Sequence, residues 1–174
     1  MMNLIITCAR HLEGDAEEEI TDILDELGDS DVKISISSMS GIITVQTKLD
    51  PIEVVRKMKE TLLDEPWSIR YCLRVIPVQK VVETNIEEIE KTISSMSDQI
   101  EEKESYRILI EKRNSDISSK EIITKIANRI KNKVSLDFPD KIILIEILGI
   151  VTGISILKKS DILSLEKTKR SMSE

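Results

Sequence analysis

Residues 106–159 read YRILIEKRNSDISSKEIITKIANRIKNKVSLDFPDKIILIEILGIVTGISILKK. The apolar residues change period along this stretch, and the changes mark its elements. Residues 107–111 (RILIE) are a short β-branched run, hence a strand. Lys112 to Asp116 is a basic, turn-rich loop. Ser118 or Ser119 caps the next helix, and Glu121 in its first turn suits the helix dipole. Ile122, Ile123, Ile126, Ala127 and Ile130 recur at helical spacing and are expected to face inward, with Lys120, Lys125 and Arg129 outward. Residues 133–140 (KVSLDFPD) cross to a central apolar strand at 142–148, interrupted by Glu146. Gly149 to Gly153 turns the chain back, and 154–157 closes the sheet. The product is a strand, helix, strand, strand module with a basic tilt.

The tilt is visible in the charge distribution. The chain of 174 residues carries a net charge of −7, which alone argues against a polyanion partner. The charges are segregated, however. Residues 1–80 hold 9 Lys/Arg against 15 Asp/Glu, 81–104 hold 2 against 8, and 105–170 hold 14 against 8. A basic block in an acidic protein can steer a polyanion to one region; ordinary surface charge is the alternative. The length suits one large domain or two small ones. With 40% hydrophobic residues and a mean hydropathy of −0.12 the composition is that of a soluble globular protein. Only Trp67, Tyr71, Tyr106 and Phe138 are aromatic. The core is therefore expected to be aliphatic, and an aromatic platform for stacked bases is disfavoured.

Upstream, 3–8 (NLIITC) is a buried strand. Asp15 is read as the N-cap of a helix whose stripe is Ile20, Ile23, Leu24 and Leu27, and Gly28 stops it. The acidic cluster beginning at Glu17 reads as a solvated helix face, with an acidic partner site as the alternative. Two period-two runs, 32–38 and 42–47, flank a turn at Met39-Ser40-Gly41 and form a hairpin. Asp50-Pro51 opens a second helix striped by Val54, Val55, Met58, Leu62 and Leu63. A strand follows at 71–78, where Pro77 suits an edge or a bulge. The order β-α-β-β-α-β over residues 3–82 is that of the ferredoxin-like split βαβ arrangement. Residues 83–104 are acidic and predict one or two helices capped by Asn85.

No catalytic set is legible. His11 is the one histidine, and no Ser/His/Asp or Cys/His/Asp set can be completed except around Cys8 and His11. Cys8, Cys72 and His11 lack the spacing and the fourth ligand of a structural zinc site, and buried free thiols are the simpler reading. The run 142–156 is too short and too interrupted for a bilayer span, and the start of the chain lacks the features of a signal peptide. A cytoplasmic location, without membrane, metal or cofactor, is the expectation.

The elements EKRNSD, SSKEIITKIANRIKN, KVSLDFPD and KIILIEI, closed by GIVTGISILK, resemble the THUMP domain, with KVSLDFPD the most specific part. The resemblance covers about residues 83–163, and 1–82 matches the ferredoxin-like domain that often accompanies it. The fold class is therefore α+β: an N-terminal ferredoxin-like βαββαβ domain over 1–82, a THUMP α/β domain over 83–164 and a flexible basic tail over 165–174. Enzymes of the family carry a further catalytic domain, whose motifs are missing here. The stand-alone type resembles the archaeal and eukaryotic protein that assists cytidine acetylation of tRNA by a separate acetyltransferase. The resemblance implies a non-catalytic tRNA-binding adaptor that meets the acceptor stem and its unpaired 3′ end. The residues expected to contact RNA are Lys112, Arg113, Lys120, Lys125, Arg129, Lys133, Lys158 and Lys159. Arg107 and Lys141 are weaker candidates, able to pair with Glu146 or Glu111 instead. A regulatory or protein-interaction module, binding a small ligand or partner, is the competing class.

Overall fold

The computed structural model describes residues 1–173. The elements, in chain order, are β1 (Leu4–Thr7), α1 (Glu13–Glu26), β2 (Lys33–Ile36), β3 (Ile42–Gln46), α2 (Pro51–Asp64), β4 (Arg74–Pro77), β5 (Lys80–Glu83), α3 (Ile86–Ser95), β6 (Tyr106–Arg113), α4 (Ser119–Arg129), β7 (Lys141–Leu148), β8 (Val151–Leu157), β9 (Leu163–Ser164) and α5 (Leu165–Ser173). They divide into two compact units. One takes in Met1–Val78 and, from the other end of the chain, 160–173; the other is Gln79–Lys159. The α+β class expected from the sequence is the class observed.

In the first unit the strand order is β2-β3-β1-β4-β9, antiparallel throughout. The first four strands follow the ferredoxin-like order. Helices α1 and α2 bury Ala16, Ile20, Leu24, Val54, Val55, Met58 and Leu62 against the sheet's Leu4, Ile6, Ile43, Val45 and Val75. Helix α2 begins as its sequence requires: the Asp50 side chain accepts from the Ile52 N–H at 2.9 Å, and Pro51 takes the first helical position. Helix α1 differs at its start. It opens at Glu13, two residues before the expected cap Asp15, and no side chain caps it. The Glu13 carboxylate instead accepts the Gly41 N–H at 2.8 Å. At the other end, Gly28 (φ 114°) donates to Asp25 O and Asp29 donates to Leu24 O, the paired bonds of a Schellman stop.

Asp29 then ties that helix end to the sheet. Only 2% exposed, its carboxylate accepts from the Thr47 hydroxyl at 2.6 Å and from the Lys48 and Asp31 N–H groups at 2.9 and 3.1 Å. The Thr47 hydrogen bond, ahead of Lys48, holds this carboxyl below its usual range. A folded-state pKa below the unfolded one gives stability that is present above about pH 4 and lost as pH falls through the folded value. Asp29→Ala should cost about 2–4 kcal/mol at pH 7, because buried donors are left without their acceptor. The penalty should shrink in urea melts taken toward pH 2. A pH-independent penalty would show that the carboxylate's charge contributes nothing.

The second unit has the strand order β5-β8-β7-β6. β6 and β7 are parallel, from Tyr106 opposite Lys141 to Arg113 opposite Leu148, and α4 makes the crossover between them. β7 and β8 form a hairpin closed at Gly149-Ile150, since Leu148 pairs with Val151. The expected reversal over Gly149 to Gly153 is therefore shorter, and Gly153 lies within β8 opposite Glu146. Asn85 caps α3, accepting from the Glu87 and Glu88 N–H groups; Ser118 rather than Ser119 caps α4, accepting from Glu121 N–H at 3.2 Å. The core is aliphatic, with Tyr106 its one aromatic and the tyrosine hydroxyl donating to Ile130 O at 3.2 Å.

Two boundaries need correction. The strand expected at 71–78 is β4, Arg74–Pro77, and a second strand, β5, follows it within the expected first domain. Val78 donates to Asn3 O in the first sheet, while Gln79 donates to Ile154 O in the second. The first boundary thus falls after Val78 rather than Val82, and β5 belongs to the second unit. The expected tail at 165–174 is a helix over Leu165–Ser173, preceded by β9, which pairs Leu163 with Val75. Leu163 and Leu165 are buried in the first unit's core, with Met172 packed against it. Glu174, the last residue of that expected tail, lies outside the described residues.

Candidate nucleic-acid interface

The register of the second sheet fixes where the eight named cations stand. Lys112 and Arg113 end β6, beside Ile147 and Leu148 at the end of β7. Lys120 follows in the first turn of α4, at the same end of the sheet. Because α4 runs back along the sheet, Arg129 in its last turn and Lys133 beyond it return to the start of β6 and β7. Lys158 and Lys159 arrive there too, since Leu157 pairs with Ile142. Eight residues of strand span about 26 Å. The cations therefore form two end groups, bridged by Lys125 on the helix, rather than one cluster.

The two ends differ in how their charge is used. At the finishing end, the Lys112 ammonium donates to Ile117 O at 2.9 Å and closes the 113–117 loop. The Arg113 guanidinium, 30% exposed, lies 3.3 Å from the Glu146 carboxylate, which is 1% exposed. Arg113 thus neutralises a charge in the sheet. Lys120 is exposed and makes no ion pair among the described residues. Arg129 spans to Glu90 at 2.9 Å yet keeps 62% of its side chain exposed. At the starting end, Lys131, Lys133, Lys158 and Lys159 are all exposed. Arg107 and Lys141 do not pair with Glu146 or Glu111: Arg107 donates to Leu136 O at 3.1 Å, and Lys141 pairs with Glu104 at 3.0 Å. Ile123 and Ala127, expected inward on α4, are exposed, whereas Ile122 and Ile126 are buried.

The KVSLDFPD segment is held at both ends. Tyr106 N–H donates to Lys133 O and Ser135 N–H to Tyr106 O, each at 3.0 Å. The Asp140 carboxylate accepts the Ser105 N–H at 2.8 Å and the Ser105 hydroxyl at 3.1 Å, and these bonds hold its carboxyl below the usual range. Between the anchors, Leu136 and Phe138 are 66% and 89% exposed. The exposure of Phe138 is what sequence reasoning missed. Scarcity of aromatics argues against a stacking platform, but it says nothing of where the sole phenylalanine points. Position between two fixed turns was the available signal.

No group of three His, Cys, Asp or Glu stands together as a metal set among the described residues. Burial raises the Cys72 thiol, with Glu19 adding to it, and burial followed by Glu13 raises Cys8. Both shifts oppose the thiolate that a nucleophile or ligand requires. His11 is exposed at φ 71°. No helix among the described residues is long and apolar enough to cross a membrane.

No curated protein matches the sequence significantly. Solved structures similar in fold include the following three. PH1313 from Pyrococcus horikoshii Ot3 superposes with a TM-score of 0.62 at 19% identity, covering 91% of this chain and 55% of its own. TrmN from Thermus thermophilus gives 0.60 at 13%, covering 90% and 45%. A 4-thiouridine synthetase–RNA complex with bound ATP gives 0.54 at 12%, covering 94% and 42%. The chain thus spans about half the length of the solved structures it matches. A family model, the THUMP domain, matches residues 83–157, the segment that runs from the end of β5 to the end of β8 and holds the cations up to Lys133, so this part of the chain is a THUMP domain.

Proposed function

We propose that the chain is a non-catalytic tRNA-binding adaptor that presents tRNA to a separate modification enzyme, a tRNA cytidine acetyltransferase. The observation that carries this reading is that the cationic excess, 11 Lys/Arg against 6 Asp/Glu over residues 105–159, falls on the strands and helix of the later part of the THUMP match, whose first part, 83–104, is acidic. That one similar fold was solved as an RNA complex supports it. Lysines at the starting end of the second sheet contact phosphates and riboses, reading backbone and shape more than base sequence. The acceptor stem with its unpaired 3′ end is the feature bound. The adaptor supplies binding and position, and the partner supplies the chemistry.

The test is tRNA binding by fluorescence anisotropy across a salt series. Binding at 50 mM salt should weaken about 100-fold by 200 mM, the loss expected for about four phosphate contacts. Crosslinking in the protein's own cells should recover tRNA, with an acetyltransferase co-purifying. Absence of tRNA binding at 50 mM salt sinks the reading; tRNA binding without an acetyltransferase removes only the adaptor half.

A further inference from the structure

The first unit contains a groove that the RNA reading does not use. It is open-sided, with a volume of ≈ 520 Å³, and is walled by α1, α2 and the 65–71 segment after α2. Its apolar lining is Ile23, Leu27 and Tyr71, each partly exposed, above Met58 and Ile69, which are buried in the core. Its rim is acidic. Asp15, Glu18, Asp22 and Glu26 line it from α1, Glu65 lines it from the opposite wall, and Lys57 is the one cation. The hydroxyl of Ser68, also on the wall, is shielded from solvent and has no hydrogen-bond partner in the protein.

Glu18, Asp22 and Glu26 are arranged against the stability of their own helix, whereas Asp15 in its first turn suits the dipole. Glu18 and Asp22, then Asp22 and Glu26, stand four residues apart, where like charges repel. Asp22 and Glu26 lie in the C-terminal half of α1, toward the negative end of its dipole, and the last turn contains no basic residue. None of the four makes an ion pair among the described residues. Glu19 behaves differently: its carboxylate accepts the N–H groups of Arg70, Tyr71 and Cys72 at 2.8, 3.0 and 2.9 Å and so fixes the groove wall. The chain therefore uses one acid of this face for structure and leaves four unmatched beside an apolar floor.

We propose that this groove docks a basic amphipathic helix of a protein partner. The carboxylates from Asp15 to Glu26 extend over about 16 Å of helix axis, the length of about three turns. A helix laid along them sets apolar side chains from successive turns on Ile23, Leu27 and Tyr71, the partly exposed apolar residues of the groove. Its flanking Lys or Arg side chains relieve the repulsion within α1. The rim's sign excludes nucleic acid and anionic lipid as occupants, because both would add like charge. The site is independent of the tRNA reading and is tested without RNA.

The probe is a labelled synthetic peptide of about four helical turns, with leucines on one face and lysines flanking them. A peptide of the same composition in scrambled order is the comparison. Binding to the full chain is followed by anisotropy, and its location by amide chemical shifts. The amphipathic peptide should bind at least about tenfold more tightly than the scrambled one, with shifts centred on α1 and α2. Asp22→Lys with Glu26→Lys should weaken it about tenfold or more, whereas Glu101→Lys with Glu102→Lys, on exposed acids outside the groove, should not. Asp22→Asn with Glu26→Gln should weaken the peptide too and should raise the melting temperature of the free chain by about 2–6 °C. Equal binding of the scrambled peptide overturns the proposal, as does equal sensitivity to the control pair. Displacement of the peptide by spermidine at equal concentration, or self-association of the chain through this face, also overturns it. A fall in melting temperature in the Asn/Gln variant refutes the unmatched-charge argument.

Discussion

Arg113→Glu should lower the melting temperature of the second unit by about 15–25 °C, whereas Lys112→Glu, one residue earlier, should leave it nearly unchanged. The two residues are neighbours in sequence and opposites in environment. Lys112 is exposed, and its ammonium serves a carbonyl of the next loop. Arg113 faces a carboxylate that is 1% exposed on the central strand. Reversing its charge sets a third carboxylate against Glu146 and Glu111, which are already paired across β6 and β7. Breaking a buried pair costs about 3–5 kcal/mol, and in a unit of this size each kcal/mol moves the midpoint by about 4–8 °C. Hydrogen exchange distinguishes a local from a global effect: amides of β6 and β7 should lose protection while those of β1 keep theirs. Arg113→Ala combined with Glu146→Gln should be milder than the sum of the two single changes. Native-like melting of Arg113→Glu would show that the pair has no stabilising role. The pairing also has a practical consequence: a Lys112/Arg113 double reversal that abolishes RNA binding would report unfolding as readily as lost contacts.

The sequence made the local rules visible and left the long-range ones hidden. Asp50, Asn85 and Ser118 announce their helices because a cap is decided within three residues. The split βαβ order follows from alternation and turn residues, also local. The break between Val78 and Gln79 is of another kind. Consecutive N–H groups there bond to residues each 75 positions away, in opposite directions along the chain: Asn3 and Ile154. Nothing in YCLRVIPVQKVV marks the switch, because both halves have strand composition. Helix α5 was obscured for a similar reason. Lys167, Lys169 and Arg170 give its sequence the look of a solvated tail, and the residues that anchor it, Leu163, Leu165 and Met172, find their partners in a core whose other residues all precede Pro77 in the chain.

The same limit governs the candidate site. Charge sign and helix spacing placed Lys120 and Arg129 on the outside of α4, where the structure has them. They could not show that Arg113 is committed to Glu146, or that Arg129 reaches Glu90 across from α3. A lysine's availability depends on what lies opposite it, and that partner is 33 residues away for Arg113 and 39 for Arg129.

That difference in commitment separates the two ends of the second sheet when tRNA binding is measured. At the finishing end Lys112 and Arg113 have protein partners, while Lys120 is exposed and makes no ion pair among the described residues. At the starting end Lys133 and Lys159 are exposed, and so is Phe138, which with Lys133 belongs to a segment anchored at both ends. Under the adaptor reading, Lys133→Glu with Lys159→Glu should weaken tRNA binding about 100-fold at moderate salt and reduce the slope of log K against log salt by about 2. Lys112→Glu with Lys120→Glu should cost about fivefold or less and change the slope by about 1 at most. Both variants replace exposed side chains, so both should keep the parent's melting temperature within a few degrees. The slope carries the argument, because a change in folding alters affinity without removing a fixed number of released counterions. Equal slopes for the two variants would mean that tRNA lies along α4 between the ends, and a larger effect from Lys112 and Lys120 would place it at the Arg113 end and refute the assignment made here.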